Sequence, residues 1–411
     1  MAEQIKSLQT GIKYKDTPIG KIPVDWEATS LGQILTFEYG ESLPGALRKK
    51  GKTNVYGSNG IIGRHDKYLV YGPGLVIGRK GTVGAIAWSK DDFWPIDTTY
   101  YVSARQTKED LRWLYYLLLS SRLEKLNAST GVPGLNRDIA YSEIIPLPPL
   151  VEQKKIAEIL STVDEAIEKT DQIIEKTKEG KNWLLEILFS YGINNSKYKA
   201  NAEVGKMPEK WNVETLGNLI SIKHGYAFKS QHFGSEGPIL LTPGNFKENG
   251  GLYFNERNLK RYYGAYPEEF TFLKDDLVIV MTDLSSYCKI LGNPALISLS
   301  ETVLHNQRIG KVVLNDNKID KKYLYYFFLS KRYKKTIIST ATGTTVRHTA
   351  PDRIYRLKIA LPSLEEQQEI VEILSSIDAK LDKEVTGKNK LEILKTGLMQ
   401  VLLTGRIRVK A

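Results

Sequence analysis

The sequence predicts a mixed α/β protein made of two copies of one globular unit, each followed by a long helix, with the two helices paired. Two observations predict this arrangement. Residues 150–164 return as residues 364–378, at an offset of 214 residues. Residues 20–26, which begin Gly-Lys and end in Trp, return as residues 205–211 at an offset of 185. Because two separate landmarks recur in the same order, whole units have been duplicated, and the second unit carries about 29 additional residues.

Each unit begins with short strands that are broken by glycine. Residues 1–19 are polar and are expected to form a loose arm. In the first unit, residues 75–77 and 100–102 have the apolar, β-branched and aromatic composition of strands. In the second unit the same composition predicts strands over 277–280 and 311–314.

An aromatic helix and a glycine loop then follow in each unit. The helices are predicted over residues 110–117 and 320–327, each with an aspartate as its N-cap. Their aromatic side chains recur at helical spacing and are expected to lie in a core. The glycine loops, residues 129–137 and 340–348, both end in basic residues and lead into the prolines that precede the long helices.

The long helices carry apolar residues at alternating spacings of four and three, which is the pattern of a coiled-coil seam. Each helix of roughly 38 residues would be about 57 Å long. A long core helix of a larger domain is the alternative, but duplication at one register favours pairing between the two copies. The predicted seam consists of Ile156, Leu160, Val163, Ile167, Ile174, Leu184, Leu188, Ile370, Leu374, Ile377, Leu381, Leu391, Leu398 and Leu402.

The positive charge lies outside the long helices. The formal net charge is +11, yet residues 151–190 and 365–403 each carry −3, so the remaining segments carry +17. Such a distribution predicts that these segments bind a polyanion, with a general contribution to solubility as the alternative.

The single cysteine, Cys288, excludes a disulfide within one chain and is expected to be a small buried residue. No apolar run has the length of a membrane span, so a soluble cytoplasmic protein is expected.

The sequence predicts no catalytic or metal site. It contains no Gly-x-x-x-x-Gly-Lys-Ser/Thr phosphate loop, and the glycines of residues 72–81 flank a strand rather than begin a helix. None of the five histidines forms a His-x-x-x-His pair. Residues 293–296 only partly match the Asn/Asp-Pro-Pro-aromatic motif of base methyltransferases. We therefore expect a chain that is not catalytic by itself and that binds no cofactor or metal.

A nucleic-acid interface is predicted where basic, amide and aromatic residues alternate on loops, because these side chains contact phosphates and base edges. The candidates in the first unit are Arg48, Lys49, Lys50, Lys52, Asn54, Arg64, His65, Arg79 and Lys80. In the second unit they are Lys223, His224, Tyr226, Lys229, Asn245, Lys247, Arg257, Lys260, Arg261, Tyr262, Tyr263, Arg347 and His348. For each residue taken singly, a solvated surface charge is the alternative.

The two units match at their edges and differ in their middles. Two copies with a constant frame and divergent loops are expected to read two different short sequences. Since one turn of duplex is about 34–36 Å long, paired helices of about 57 Å can hold two modules over separate major grooves. The prediction is a split, asymmetric double-stranded DNA target with an unread spacer.

These landmarks resemble the specificity subunit of type I restriction-modification systems. The resemblance covers nearly the whole chain and depends on the Leu-Pro-x-Leu-x-Glu-Gln motifs at residues 147–153 and 361–367, the Gly-Lys-x-Pro-x-x-Trp openings, and the closing residues 397–405. It implies two target recognition domains, residues 1–147 and 194–361, each similar to the small domain of adenine-N6 DNA methyltransferases. It also implies two spacer helices, within residues 148–193 and 362–411, packed antiparallel between the domains.

The resemblance further implies partner subunits. Two modification subunits would carry the S-adenosylmethionine chemistry, and restriction subunits would supply nuclease and translocase activity with ATP and Mg²⁺. Two other functions stay open. A non-catalytic adaptor for proteins would show no salt-dependent affinity for DNA, and a self-contained DNA-modifying enzyme would transfer methyl groups as the purified chain alone.

Overall fold

The computed structural model describes residues 13–126 and 134–409. Two compact units are present, one formed by Met1–Gln172 together with Val385–Ala411 and the other by Ile173–Glu384. Each long helix therefore contributes one part to each unit, whereas the predicted domain limits fall at the helix ends. Within the described ranges the helices are α1 (Leu31–Ile34), α2 (Leu111–Ser120), α3 (Arg137–Ser142), α4 (Leu150–Tyr191), α5 (Leu216–Leu219), α6 (Lys321–Phe327), α7 (Lys331–Thr340), α8 (Pro351–Tyr355) and α9 (Leu364–Leu402).

The first unit contains two larger sheets and two strand pairs. Its strands are β1 (Tyr14–Thr17), β2 (Gly20–Pro23), β3 (Glu27–Ser30), β4 (Glu38–Tyr39), β5 (Thr53–Gly57), β6 (Gly60–His65), β7 (Gly74–Gly78), β8 (Ile86–Ser89), β9 (Phe93–Pro95), β10 (Thr99–Ser103) and β11 (Ile144–Leu147). One sheet has the order β4-β10-β7-β8 and is antiparallel throughout. In the other, β5 pairs antiparallel with β6 and parallel with β9.

The second unit repeats this architecture with longer insertions. Its strands are β12 (Tyr198–Asn201), β13 (Gly205–Pro208), β14 (Asn212–Thr215), β15 (Ile220–His224), β16 (Phe233–Leu241), β17 (Arg261–Tyr262), β18 (Thr271–Phe272), β19 (Leu277–Val280), β20 (Thr282–Asp283), β21 (Pro294–Leu296), β22 (Val303–His305), β23 (Ile309–Leu314), β24 (Arg347–His348) and β25 (Lys358–Leu361). The antiparallel sheet has the order β15-β23-β19-β21, and a mixed sheet has the order β17-β16-β22-β18.

The aromatic helices form as the sequence predicts. The side chain of Asp110 accepts a 2.8 Å hydrogen bond from the Trp113 amide, and Asp320 caps α6 in the same way. Trp113 and Tyr323 are then fully buried, each in the main apolar core of its unit. The four predicted strands are also present and correspond to β7, β10, β19 and the last part of β23.

A glycine and a tyrosine fix the same corner in both units. The hydroxyl of Tyr141 accepts a 2.7 Å hydrogen bond from the Phe37 amide, and a Cβ on Gly32 would lie 2.8 Å from the Cβ of Tyr141. In the second unit Tyr355 accepts from an amide at the same distance, and Gly217 is as close to the tyrosine. The Leu-Gly landmarks recur because only glycine lets this short helix approach the tyrosine so closely.

The two long helices run antiparallel in each unit. In the first unit Lys395 Nζ lies 2.6 Å from Asp164 Oδ1, and Lys388 Nζ lies 2.7 Å from Asp171 Oδ1. In the second unit Lys181 pairs with Asp378. The residue numbers of every one of these pairs add up to 559, as a constant antiparallel register requires.

Every residue of the predicted seam is buried or half-buried, as a seam between two paired helices requires. At its ends the seam also packs on the globular part of the unit. Ile156, Leu160 and Leu402 share one core with Trp113 of α2. The helices are therefore both a paired coil and core helices.

Residues 14–17 are not a loose arm, because they form β1, which pairs with β2 over its full length. Residues 1–12 lie outside the described residues, as does the first part of the predicted glycine loop at 129–137.

None of the helices in the described ranges is long and apolar enough to cross a membrane. Cys288 is buried, as expected.

Candidate nucleic-acid interface

The loop that follows the central strand of the first unit carries two of the predicted cations. This loop, residues 79–85, connects β7 to β8 and begins with Arg79 and Lys80. Lys80 forms a β-bridge with Gly134, and the Leu135 amide donates a 2.9 Å hydrogen bond to the Arg79 carbonyl. The end of the predicted glycine loop is thus attached to the end of the central strand.

Arg79 belongs to a cluster of arginine and tyrosine side chains. Its guanidinium carbon lies 5.2 Å from the centre of the Tyr39 ring, and that of Arg137 lies 5.6 Å from the same ring. Arg79 Nη2 donates to the Asp97 carbonyl at 2.7 Å, while its buried Nε has no hydrogen-bond partner among the described residues. Burial, with a smaller effect from Tyr39, raises the pKa of Tyr100 beneath the cluster to about 12. The cluster therefore presents two permanent positive charges around one exposed aromatic face.

A second cationic segment of the first unit leads into β5 and returns along β6. Residues 48–65 contain five Arg or Lys residues and no Asp or Glu. Lys49, Lys50, Lys52 and Arg64 are exposed, so their charges are available to a ligand. Arg48 is half-buried and donates to the Ile62 carbonyl at 2.9 Å, which ties the segment to β6.

The predicted residues of the second unit lie on several separate elements. Lys223 and His224 end β15, and Arg347 and His348 form β24. Arg261 is on β17, where Glu301 lies 2.7 Å from its Nη1 and raises its pKa by hydrogen bonding. The exposed members of the set are Lys223, His224, Lys229, Lys247, Arg257, Lys260, Tyr263 and His348, whereas Tyr226, Arg261 and Arg347 are half-buried.

Three predicted residues are interior in this structure and serve the fold. His65 is buried, and its Nδ1 accepts a 3.0 Å hydrogen bond from the Lys49 amide. Asn245 is buried; its amide group accepts from the Thr242 amide at 2.9 Å and donates to the Asn258 carbonyl at 3.0 Å. Tyr262 packs 4.8 Å from the Phe228 ring. The polar atoms of His65 and Asn245 and the ring of Tyr262 are thus engaged inside the fold. Asn54 is half-buried and lies opposite Arg64 in the strand pair.

The structure also exposes residues that sequence reasoning missed. Arg137 begins α3 and joins the arginine and tyrosine cluster described above. In the second unit, the loop between β20 and β21 exposes Leu284 and Tyr287 to solvent. Their position just beyond the predicted strand 277–280 was the available signal, but apolar residues beside a strand are expected in a core.

The family model described as the type I restriction modification DNA specificity domain matches residues 23–179 and again residues 208–393. The chain belongs to this specificity family. The two matches coincide with the duplicated units, so the internal repeat is a repeat of the family domain.

Relatives of this specificity chain align over nearly its full length. The type I restriction enzyme MjaVIII specificity subunit of Methanocaldococcus jannaschii is 28% identical, over 95% of each chain. The putative type I restriction enzyme MjaX specificity subunit of the same organism is 30% identical, over 97% of each chain. Among solved structures, the type I restriction-modification S subunit from M. genitalium aligns with a TM-score of 0.60 at 18% identity, over 96% of this chain and 97% of that one. The structural comparison shows a shared fold.

Proposed function

We propose that each unit of this specificity chain reads one half of a bipartite, asymmetric DNA sequence, and that the helix pair sets the unread spacer between the halves. The observation that carries the proposal is the contrast between a repeated frame and unlike loops. The glycine-tyrosine corner, the capped aromatic helix and the helix pair recur in both units. By contrast, the loop after the central strand begins Arg79-Lys80 in the first unit and contains Leu284 and Tyr287 in the second. Constant frames with different contact loops suit two different half-sites.

The charge distribution supports DNA as the ligand. The helices are acidic and the segments around them carry the excess of +17. Lysines such as Lys49 and Lys50 neutralise phosphates, and each phosphate contact releases counterions, so binding must weaken as salt rises. Arginines such as Arg79 can additionally donate two hydrogen bonds to guanine.

Catalysis belongs, in this proposal, to partner subunits that dock on the helix pair. Methyltransferase subunits would supply S-adenosylmethionine chemistry, and restriction subunits would supply ATP- and Mg²⁺-dependent cleavage. Docking is supported by apolar residues on the outer helix faces: Trp183 of α4 is 65% exposed in the second unit, and Ile393 of α9 is 73% exposed beside Gly397 in the first. Exposed aromatic and aliphatic residues of this kind mark protein interfaces.

The test is reconstitution of the full chain with type I modification subunits, followed by binding to a library of duplexes at several salt concentrations. The proposal expects one split motif, an affinity that falls steeply with salt, and methylation that requires the modification subunits. Affinity that is independent of sequence and salt would favour a protein adaptor. Methyl transfer by the chain alone would favour a self-contained enzyme.

A further inference from the structure

The loop between β20 and β21 of the second unit holds two large apolar side chains in water. Tyr287 is 80% exposed and Leu284 is 56% exposed. Single exposed apolar residues are common, but two within four positions of one loop form a local apolar surface.

A buried carboxylate fixes the shape of this loop. Asp283 is buried and accepts hydrogen bonds from the Ser285 amide at 2.9 Å and from the Ile290 amide at 2.8 Å. The same side chain therefore fastens the start and the end of the loop. Cys288 between them is buried and has a φ of +51°, a backbone conformation that the surrounding contacts must hold.

A second clamp lies at the far end of the loop. Lys334 of α7 donates to the Leu291 carbonyl at 2.8 Å and also to the side chain of Asn293, whose own amide donates to the Lys247 carbonyl at 2.7 Å. Two independent polar anchors thus hold the loop in one conformation before any ligand binds. Because folding already orders the loop, binding of a ligand loses little further conformational entropy, and this favours tight and specific contact.

The strand beside the loop is cationic. Thr282 hydrogen-bonds to His348 at 3.1 Å, and Asp283 lies opposite Arg347 in the β20–β24 pair. Arg353 donates to the His348 carbonyl at 3.2 Å. The carboxylates near the loop are already engaged, since Asp283 binds the loop backbone and Glu248 is paired with Lys289 at 2.9 Å. Neither Arg347 nor Arg353 forms an ion pair with a carboxylate of the described residues. An apolar loop tip beside these charges matches a polyanion that also has apolar faces.

We propose that Leu284 and Tyr287 are specificity-determining residues that contact bases in the half-site read by the second unit. This inference rests on the proposed function and assigns one element of it. Leucine and tyrosine side chains contact thymine methyl groups or stack on base faces, and the neighbouring arginines contact phosphate. The equivalent hairpin loop of the first unit begins with Arg79 and Lys80 instead, so the two half-sites are read by different chemistry.

The experiment uses the full chain expressed with type I modification subunits in a host without other DNA methylation, and maps the methylated motif by sequencing. The variants are Tyr287→Ala, Leu284→Ala and the double change. Leu273→Ala is the matched control, because Leu273 is 68% exposed and lies before β19, at the opposite end of that strand from the loop. The affinity of each purified complex for the wild-type motif is measured in parallel, together with its thermal midpoint.

The proposal expects Tyr287→Ala and the double variant to lower affinity for the wild-type motif by about 10-fold or more, since aromatic contact with a base contributes on this scale. The motif should become degenerate at one or two adjacent positions in one half-site only, and Leu273→Ala should change neither property. If the wild-type complex methylates a specific motif and the double variant methylates the same motif, this inference is overturned and the proposed function stands. Loss of subunit assembly in a folded Tyr287→Ala chain would show a protein contact and overturn it as well. A wild-type complex without any motif would overturn the proposed function itself.

Discussion

The indole nitrogen of Trp26 donates a 2.9 Å hydrogen bond to Oε2 of Glu152, and Trp211 makes the same bond at the same length to Glu366 in the second unit. The tryptophan and glutamate landmarks of the sequence therefore recur because they are partners. The neighbouring glutamines have a shared role too: Gln153 accepts from the Asp110 amide at 2.9 Å, and Gln367 accepts from the Asp320 amide at 2.8 Å. The start of each long helix is thus bonded to the aromatic helix of its own unit.

The first prediction concerns Glu366, a buried carboxylate with several donors. The Ile193 amide, Asn195 and Trp211 all donate to it, and although burial acts to raise its pKa, these bonds hold the pKa below the ordinary value. Glu366→Ala leaves the buried donors without an acceptor and should lower the free energy of unfolding by about 2–4 kcal/mol. Urea unfolding measures this loss. The exposed neighbour Glu365→Ala should change stability by less than about 0.5 kcal/mol, and equal effects of the two changes would contradict the assignment.

The second prediction concerns Arg408, which follows the last helix and bonds to two carboxylates of its own unit. Its guanidinium donates to both oxygens of Asp25 and of Glu152, each at 2.7 Å. Arg408→Ala leaves the buried Glu152 charge without its cation and should destabilise the chain by about 2–3 kcal/mol. Arg408→Lys should recover only part of this, because an ammonium cannot form the planar double bridge. Thermal unfolding of both variants checks the order, and full recovery by lysine would contradict it.

The third prediction concerns the helix pair in the first unit. Asp164 lies 2.6 Å from Lys395 and accepts a 2.6 Å hydrogen bond from the Tyr116 hydroxyl. Because the ion pair is about a quarter exposed, a double-mutant cycle between Asp164→Asn and Lys395→Met should give a coupling energy of only about 0.5–1 kcal/mol. A cycle between Asp164→Asn and Lys390→Met, an exposed lysine on the same helix, is the control. No difference between the two couplings would argue against the antiparallel register.

The fourth prediction is a pH dependence that arises in the second unit. Burial lowers the pKa of His305 from 6.5 to about 4, with the nearby Lys311 charge acting in the same direction. Below pH 6.5 the unfolded chain binds a proton that the folded chain does not, so stability should fall between about pH 6.5 and 4, by about 3 kcal/mol in total.

His305→Gln tests this pH dependence. Glutamine keeps a donor for the Ile309 carbonyl, which lies 2.8 Å from His305 Nε2, but it cannot titrate. The variant should therefore lose less stability than the parent chain when both are unfolded in urea at pH 7 and at pH 4.5. His232→Gln is the control, because the ring of His232, unlike that of His305, makes an exposed hydrogen bond, to the side chain of Gln231. Equal acid sensitivity of the parent and His305→Gln would contradict the prediction.

Much of the fold follows from the sequence because repetition and periodicity are local signals. The offset of 214 residues relates Asp164 to Asp378 and Lys395 to Lys181, so the two ion pairs are copies of each other. The seam spacing is a local signal of the same kind, and the residues that it selects are buried or half-buried. The role of Glu152 was not predicted: near a helix start an acidic residue is expected to interact with the helix dipole, whereas here it binds Trp26 and Arg408.

The exposed residues of the candidate interface are predicted less completely than the fold, because the type of a residue does not say whether it is buried. Asn245 and His65 are polar yet buried, where they bond to backbone groups. Leu284 and Tyr287 are apolar yet exposed, because Asp283 and Lys334 hold their loop from behind. Each exception depends in part on a bond between residues that are distant in sequence, Lys49 with His65 and Lys334 with Leu291, which no local pattern contains. The individual DNA contacts accordingly remain predictions.

The central claim, that paired helices hold two readers of a split DNA sequence at a set spacing, is tested most directly by varying the unread spacer. The affinity of the chain assembled with modification subunits is measured on duplexes that keep both half-sites and differ by single base pairs between them. The account predicts one optimal spacer, with a sharp loss when a base pair is added or removed, because each step also rotates one half-site around the duplex. Equal affinity at every spacer length, or a motif with no unread gap, would contradict it.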